Sequence, residues 1–369
     1  MINFTYIDDQ LNESKPIKNP IVKAEREYLS RCKKVSNLVI AYSEKSLSMG
    51  FDLLLNFKEN NNREKNNSIS KTTTPRSFII NRLKTIFPVA LKYGPKLFKG
   101  LRKCYKDVEI YLKDLEMNGK YTEFSNFGND DLLVSYPNKD LWEELSDYSK
   151  EKWDIAKIGF TELPNSLIFK NRYVLFKHAL IFMQEMRKER INKAPGKKAA
   201  FETMRVYATL GLAVANIADW LRKKGIRAQA IHPLGGLVCT PPLAGKAGMG
   251  GQGKQGLLIT PEFGPRQRLA LILIQDKIFK YTDNKEHDWI EKYCDSCKAC
   301  QKNCPVNAIR EKKLISIENV FGIGSIRTCI EKEKCFPYFQ KTLGCSICIK
   351  VCPFSSMDNF YERVKEKYQ

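Results

Sequence analysis

The most informative stretch of this chain is Cys294-Asp-Ser-Cys297-Lys-Ala-Cys300-Gln-Lys-Asn-Cys304-Pro305. A second cysteine tract follows it, Cys345-Ser-Ile-Cys348-Ile-Lys-Val-Cys352-Pro353. In the first tract, three thiolates spaced two residues apart can hold one iron–sulfur cube. The Cys-Pro step then turns the chain so that its thiolate reaches a second cube. The spacing therefore predicts two [4Fe–4S] clusters near the C-terminus.

The second tract has one cysteine fewer than a complete run, so one ligand must come from elsewhere. Cys329 and Cys335 lie between the tracts, and either could supply it. In crossing ligation, the cysteine before each proline binds the cluster of the other tract. This predicts one cluster bound by Cys294, Cys297, Cys300 and Cys352. The other cluster would be bound by Cys304, Cys345, Cys348 and either Cys329 or Cys335.

Two other uses of cysteine fit this spacing less well. A zinc site needs four ligands in a tetrahedron, which explains neither the third cysteine of the first tract nor the two Cys-Pro steps. A disulfide framework is typical of small secreted chains, whereas this chain has 369 residues and shows no secretory signal. We therefore expect a reducing compartment and a cytoplasmic protein.

Length and composition indicate a larger domain ahead of the cysteine tracts. A chain in which 43% of the residues are hydrophobic can bury a sizeable core. We predict five regions: an N-terminal helical region (1–58), a polar linker or loop (59–74), a basic helical region (75–150), a core domain (151–285) and a ferredoxin-like domain (286–369).

The formal net charge of +21 leaves several partners open. This positive charge could favour binding of an acidic electron-donor protein, a tRNA or an anionic membrane surface, or it could reflect a lysine-rich genome alone. No lysine cluster alternates with aromatic residues, so the sequence does not favour nucleic acid. The basic segment 77–114 is predicted to be helical with breaks near Pro88 and Gly94-Pro95, and could lie on a membrane surface or pack on the core.

The most apolar stretch, from Val206 to Leu221, is interrupted by Asn216 and Asp219. It is shorter than the ~18 to 20 apolar residues that a membrane span needs. We predict a buried core helix here and no transmembrane segment.

From Trp153 onward the pattern alternates between strands and helices, which predicts an α/β or α+β class. Strands are predicted at 155–160, 173–183, 227–231, 257–260 and 269–275, and a long helix at 201–224.

A glycine-rich run from Pro241 to Gly256 precedes the last two predicted strands. Glycines let backbone amides approach a large or anionic ligand, which predicts a cofactor loop. Its candidate cofactor-binding residues are Gly248, Gly250, Gly251, Gly253 and Gly256. The letters G-x-G-x-x-G occur at 251–256, but the run opens into a strand and not into a helix, so we exclude nicotinamide binding.

The order of these motifs resembles the corrinoid-dependent reductive dehalogenases and their relatives, the epoxyqueuosine reductases. The resemblance covers roughly Trp153 to Pro353 and is carried by Tyr207-Ala-Thr-Leu-Gly-Leu-Ala-Val-Ala-Asn-Ile-Ala-Asp-Trp-Leu-Arg-Lys-Lys-Gly225, Ala247-Gly-Met-Gly250, Gly256-Leu-Leu-Ile-Thr-Pro-Glu-Phe-Gly-Pro-Arg-Gln-Arg268 and the cysteine tracts. It is closer to the dehalogenase branch. The resemblance implies a nitroreductase-like domain that binds cobalamin, followed by a ferredoxin-like domain with two [4Fe–4S] clusters.

The resemblance also implies site residues. Tyr207 falls on the proton-donating tyrosine of the dehalogenases, and Arg266 on an arginine that steadies developing negative charge. It favours Cys335 over Cys329 as the remaining cluster ligand. Where the dehalogenases carry an Asn-Asp pair, this chain has Pro233-Leu234, and the adjacent His232 is an alternative polar residue or cobalt ligand.

The implied function is a reductase that passes electrons through two clusters to a corrinoid, which reduces a small organic substrate such as an organohalide. The implied partner is an electron-donor protein such as ferredoxin or flavodoxin. Two alternatives stay open: an epoxyqueuosine-reductase-like enzyme, and an iron–sulfur electron-transfer protein that has lost cobalamin.

Overall fold

The computed structural model describes residues 91–104, 137–164, 167, 174, 176–233, 237–314, 328–342 and 344–368. The helix predicted within 20–58 and the polar segment 59–74 lie outside these residues.

A four-stranded sheet forms the centre of the larger part. Its strands are β1 (Lys157–Glu162), β2 (His178–Glu185), β3 (Ala228–Ile231) and β6 (Gln267–Ile274), with the short strands β4 (Gly251–Gln252) and β5 (Leu258–Ile259) paired apart from it. The sheet order is β1-β2-β6-β3, and each neighbouring pair is antiparallel. These strands confirm the sequence prediction, and the antiparallel pairing makes the class α+β.

The core lies between this sheet and the long helix α4 (Lys197–Lys223). Leu210, Val214, Ile217 and Leu221 are all fully buried. Their spacing places them on one face of the helix, where each buried side chain contributes about 1.5 to 3 kcal/mol. The predicted core helix is confirmed. In the part of the chain that the structure describes, no helix is both long and apolar enough to cross a bilayer.

Helix α1 covers residues 91–104 without interruption, so the break predicted at Gly94-Pro95 was wrong. Pro95 removes one helical hydrogen bond. Burial of Leu97 and Leu101 in the core offsets that loss. Gly100 lies so close to α4 that an added Cβ would stand 2.9 Å from the backbone nitrogen of Leu212. This part of the basic segment therefore packs on the core.

Three further helices flank the sheet: α2 (Lys139–Trp153), α3 (Lys188–Ile191) and α5 (Thr240–Lys246). Helix α5 corrects the prediction of one long loop from Pro241 to Gly256. Proline in a first helical turn is compatible with the helix, because the N–H groups there have no intrahelical acceptor. Leu243 and Ala244 then bury the helix against the sheet.

The C-terminal part contains the cysteine tracts and short elements. These are α6 (Trp289–Cys297), α7 (Ala299–Lys302), β7 (Ile309–Leu314), β8 (Thr328–Ile330), α8 (Lys332–Lys341), α9 (Ile347–Lys350), α10 (Pro353–Ser356) and α11 (Phe360–Tyr368). This part packs against the segment before β6 at Gly264, which has a φ of +58°. An added Cβ there would lie 2.6 Å from the backbone carbonyl of Phe354, so the segment that leads into β6 contacts the chain just after Cys352.

Candidate functional site

The two cysteine tracts adopt the same local structure. Lys298 and Ser346, each directly after a cysteine, both have a left-handed φ of 54°. Each of these residues starts a four-residue helix that carries the next cysteine, Cys300 in α7 and Cys348 in α9. The common spacing C-x2-C-x3-C-P therefore builds two equivalent turns.

The first thiol group, called site A, consists of Cys294, Cys297, Cys300 and Cys352. Burial, then the neighbouring Cys294, raises the pKa of the Cys352 thiol well above its ordinary value, with Cys300 and Cys297 adding to the effect. Burial is also the main cause that raises the pKa of Cys294 to about 12 and that of Cys300 to about 11. Buried thiolates this close together need a cation to be ionised at once, which an iron–sulfur cluster supplies.

The second thiol group, called site B, consists of Cys304, Cys335, Cys345 and Cys348. Burial, and then the thiols of Cys304 and Cys345, raise the pKa of Cys335 to about 11. Burial raises the pKa of Cys348 to about 12, and Cys300 of site A contributes along with the other thiols of site B. The two sites are therefore adjacent, and the crossing assignment of their cysteines stays a prediction.

Cys329 also lies close to these sites. It is 4% exposed in β8 and packs with Cys300 and Ile309. The thiols of Cys304 and Cys345 contribute to the raised pKa of Cys335, which is consistent with placing Cys335 in site B. No three His, Cys, Asp or Glu side chains among the described residues are arranged to hold a single metal ion. In a [4Fe–4S] cluster each thiolate binds a different iron.

The remaining described cysteines lie elsewhere. Cys104 is fully buried in the core beside α4, and Cys239 is half-buried directly before α5. Cys32 is outside the described residues.

Tyr207 lies half-buried on α4, at the edge of the core. The guanidinium carbon of Arg268 stands 5.2 Å from the centre of its ring, within the range of a cation–π contact. The Nε atom of Arg268 is buried and has no hydrogen-bond partner among the described residues. This pair offers a phenol, a positive charge and an unused donor in one place.

The partners of Arg266 lie at the end of β2. Its side chain forms an ion pair with Glu185 and donates a hydrogen bond of 2.9 Å to the carbonyl oxygen of Met186. Arg266 therefore connects the end of β2 to the segment before β6. Arg268 is the arginine that lies beside Tyr207.

Polar contacts around Tyr207 fix the helix that carries it. Thr209 donates a hydrogen bond of 2.7 Å to Gln184, which is paired with Arg268 in the sheet. Glu202 accepts hydrogen bonds from Arg187 and Arg205. Burial alone would raise the pKa of the Glu202 carboxyl, but these hydrogen bonds outweigh burial and lower it to about 2.

The glycine-rich run is packed against the protein itself. A Cβ added to Gly250 would lie 2.2 Å from the carbonyl oxygen of Ile259, and one added to Gly251 would lie 2.4 Å from that of His287. Gly248 and Gly253 meet side-chain or backbone atoms as closely, and Gly256 forms a turn with a φ of +74°. The chain's own packing thus accounts for these glycines, and they do not form an open cradle.

His232 is fully buried behind α4. A Cβ added to Gly211 of that helix would lie 1.8 Å from its Nε2 atom. This is the position of a histidine that packs in the core.

Sequence reasoning missed two residues of these sites. Arg268 was present in the same Gly-Pro-Arg-x-Arg motif, and only the packing of α4 on β6 shows which arginine meets the tyrosine. Lys254 is buried beside site A. Its position in a glycine-rich run gave no signal of that burial.

A family model described as a 4Fe-4S double cluster binding domain matches residues 293–355. The match contains all eight cysteines of sites A and B. It supports the assignment of iron–sulfur clusters to this part of the chain.

Curated relatives of two kinds match the chain. A tetrachloroethene reductive dehalogenase from Sulfurospirillum multivorans is 29% identical over 180 residues, which cover 46% of this chain and 34% of the relative. One from Desulfitobacterium hafniense is 26% identical over 56% of this chain and 40% of its own length. An epoxyqueuosine reductase from Francisella cf. novicida is 32% identical over 31% of this chain and 32% of its own length. The aligned regions span about a third to two fifths of these relatives.

The fold is shared with a solved catabolic reductive dehalogenase in complex with 3-bromo-4-hydroxybenzoic acid. The TM-score is 0.52 at 19% identity, and the match covers 63% of this chain and 34% of the other. The resemblance seen in the sequence is thus confirmed: the chain is similar to reductive dehalogenases and epoxyqueuosine reductases, aligns over more of its length with the dehalogenases, and matches the double-cluster iron–sulfur model over residues 293–355.

Proposed function

We propose that this protein is a cobalamin-dependent reductase of the dehalogenase type, which reduces a small organic substrate with electrons delivered through two [4Fe–4S] clusters. The observation that carries the proposal is that one core connects the thiol sites with Tyr207. Cys348 of site B and Tyr207 both pack against the hydrophobic core around α4. Packed protein therefore lies between the two places.

Tyr207 and Arg268 fit a site where a reduced substrate takes up a proton. The phenol of Tyr207 is the proposed proton donor, and the charge of Arg268 would stabilise negative charge that develops beside it. Both side chains are held by elements whose contacts are fixed, α4 through Thr209 and β6 through its pairing with β2. The residues are therefore positioned before any substrate arrives.

Cobalamin fits these residues in part. The buried Nε of Arg268 has no hydrogen-bond partner within the described part of the chain, and a ligand with acceptor groups would satisfy it. The glycines at 248–253 offer no surface to such a ligand, because the chain itself fills the space in front of them. When bound, cobalamin would supply the strongly reducing centre for the substrate.

The packed glycine run favours one second candidate, an iron–sulfur electron-transfer protein without cobalamin. In that case sites A and B would hold both clusters, and Tyr207 would be a core residue whose ring packs under Arg268. An acidic ferredoxin or a flavodoxin is the proposed electron donor in either case, given the net charge of +21.

A turnover assay tests the proposal. The protein is purified without oxygen, supplied with iron, sulfide and hydroxocobalamin, and reduced with titanium(III) citrate. A panel of chlorinated and brominated phenols and alkenes is then added, and halide release is measured against heat-denatured protein with the same cobalamin. We expect release above this control only when cobalamin is present.

The same preparation is also given RNA that contains epoxyqueuosine. Reduction of that RNA with no halide release would contradict the dehalogenase-type proposal and favour the epoxyqueuosine-reductase alternative. Inactivity on both substrates, with clusters that still exchange electrons, would favour the electron-transfer protein.

A further inference from the structure

Lys254 is a buried cation beside site A. Its side chain is 2% exposed and lies in the turn between β4 and β5. The ammonium group donates a hydrogen bond of 3.0 Å to the backbone carbonyl oxygen of Glu311. It also lies 3.3 Å from a carboxylate oxygen of Asp295. A lysine this buried is uncommon, because removing an ammonium from water is costly unless other charges compensate for it.

Asp295 compensates for this charge only in part. Its side chain is 60% exposed, so water screens its attraction to the ammonium. The carbonyl of Glu311 contributes a dipole and no net charge. A buried positive charge of this kind is stabilised by any further negative charge that stands close by.

The thiols of site A are close to Lys254. The ammonium group contacts Asp295, which directly follows Cys294 of site A in helix α6. Four thiolates around a [4Fe–4S] core carry a net negative charge, and reduction adds one electron and hence one more negative charge. A neighbouring cation stabilises the reduced cluster more than the oxidised one.

We propose that Lys254 is a fixed positive charge that raises the reduction potential of the cluster at site A. It acts as a positioning and tuning residue, since it binds neither iron nor substrate. The step is a one-electron reduction of the cluster by the electron donor, and no bond to Lys254 forms or breaks. The inference rests on the clusters of the proposed function and is independent of the substrate and of cobalamin.

The test is a dithionite titration, followed by electron paramagnetic resonance, of the full chain with both clusters reconstituted. Lys254→Met removes the charge and keeps a side chain of similar length. We expect the midpoint potential of one cluster to become more negative while that of the other stays near its original value. Lys254→Arg keeps the charge and is expected to retain the original potential.

Lys298→Met is the matched control. Lys298 lies between Cys297 and Cys300, but its side chain is 39% exposed and pairs with Glu311. Water and salt screen its charge, so we expect a smaller shift than for Lys254→Met. Equal shifts in the two variants, or no shift in Lys254→Met, would overturn the proposal.

Loss of one cluster from Lys254→Met would also be informative. If Lys254→Arg then retains that cluster at the original potential, the charge of residue 254 and not its shape is what the cluster needs, which supports the proposal. If Lys254→Arg loses the cluster as well, the residue only fills space and the proposal fails. A wild-type protein that takes up no clusters would instead contradict the proposed function.

Discussion

Tyr207→Phe is expected to lower turnover of the reconstituted enzyme by about 10²- to 10⁴-fold, the usual contribution of a general acid. The substitution removes the phenol oxygen and leaves the ring that packs under Arg268. Cluster and corrinoid content should therefore stay unchanged. The measurement is the initial rate of substrate reduction, together with iron and cobalt per chain.

Tyr148→Phe is a suitable control for this variant. Tyr148 is also half-buried, but it stacks on Trp220 with ring centroids 5.3 Å apart and faces α4 from α2. We expect its loss of a hydroxyl to leave the rate near that of the wild type. Normal turnover in Tyr207→Phe would remove the proton-donor assignment.

Cys335→Ala is expected to abolish the [4Fe–4S] cluster at site B, because three thiolates remain for four irons. Iron should fall below the value of about eight per chain that two clusters require, and one of the two cluster signals in the paramagnetic resonance spectrum should disappear. The signal of site A should persist, since its four cysteines are unchanged.

Cys329→Ala is the matched control variant. Cys329 lies near the same thiols, but it is proposed to be a packing residue and not a cluster ligand. It should keep both clusters at a small cost in stability from the lost packing of a buried thiol. Loss of a cluster from Cys329→Ala, with both clusters retained in Cys335→Ala, would reverse the assignment of the eighth ligand.

The sequence predicted the sheet and the long helix because their signals are local. Residues 269–274 form a continuous apolar run, and residues 227–231 alternate Arg227 and Gln229 with apolar residues; β6 and β3 occupy nearly the same positions. Helix α5 was missed because Pro241-Pro242 and Gly245 indicate a loop by composition. Their positions in a short, buried helix depend on packing against the sheet, which a local pattern does not contain.

The thiol sites were predictable for a different reason. Cluster ligation fixes the spacing of cysteines along the chain, so C-x2-C-x3-C-P in two copies already implies two sites and crossing ligands. The choice between Arg266 and Arg268 was not predictable in the same way. It depends on Glu185, which lies on another strand and forms an ion pair with Arg266, leaving Arg268 beside Tyr207.

The proposed function requires that this chain combine two iron–sulfur clusters with cobalamin. The most direct measurement is the content of cobalt, iron and sulfide, with a paramagnetic resonance spectrum, in protein produced with cobalamin and purified without oxygen. We predict stoichiometric cobalt beside about eight irons per chain. About eight irons with no retained corrinoid would contradict the claim and leave an electron-transfer protein.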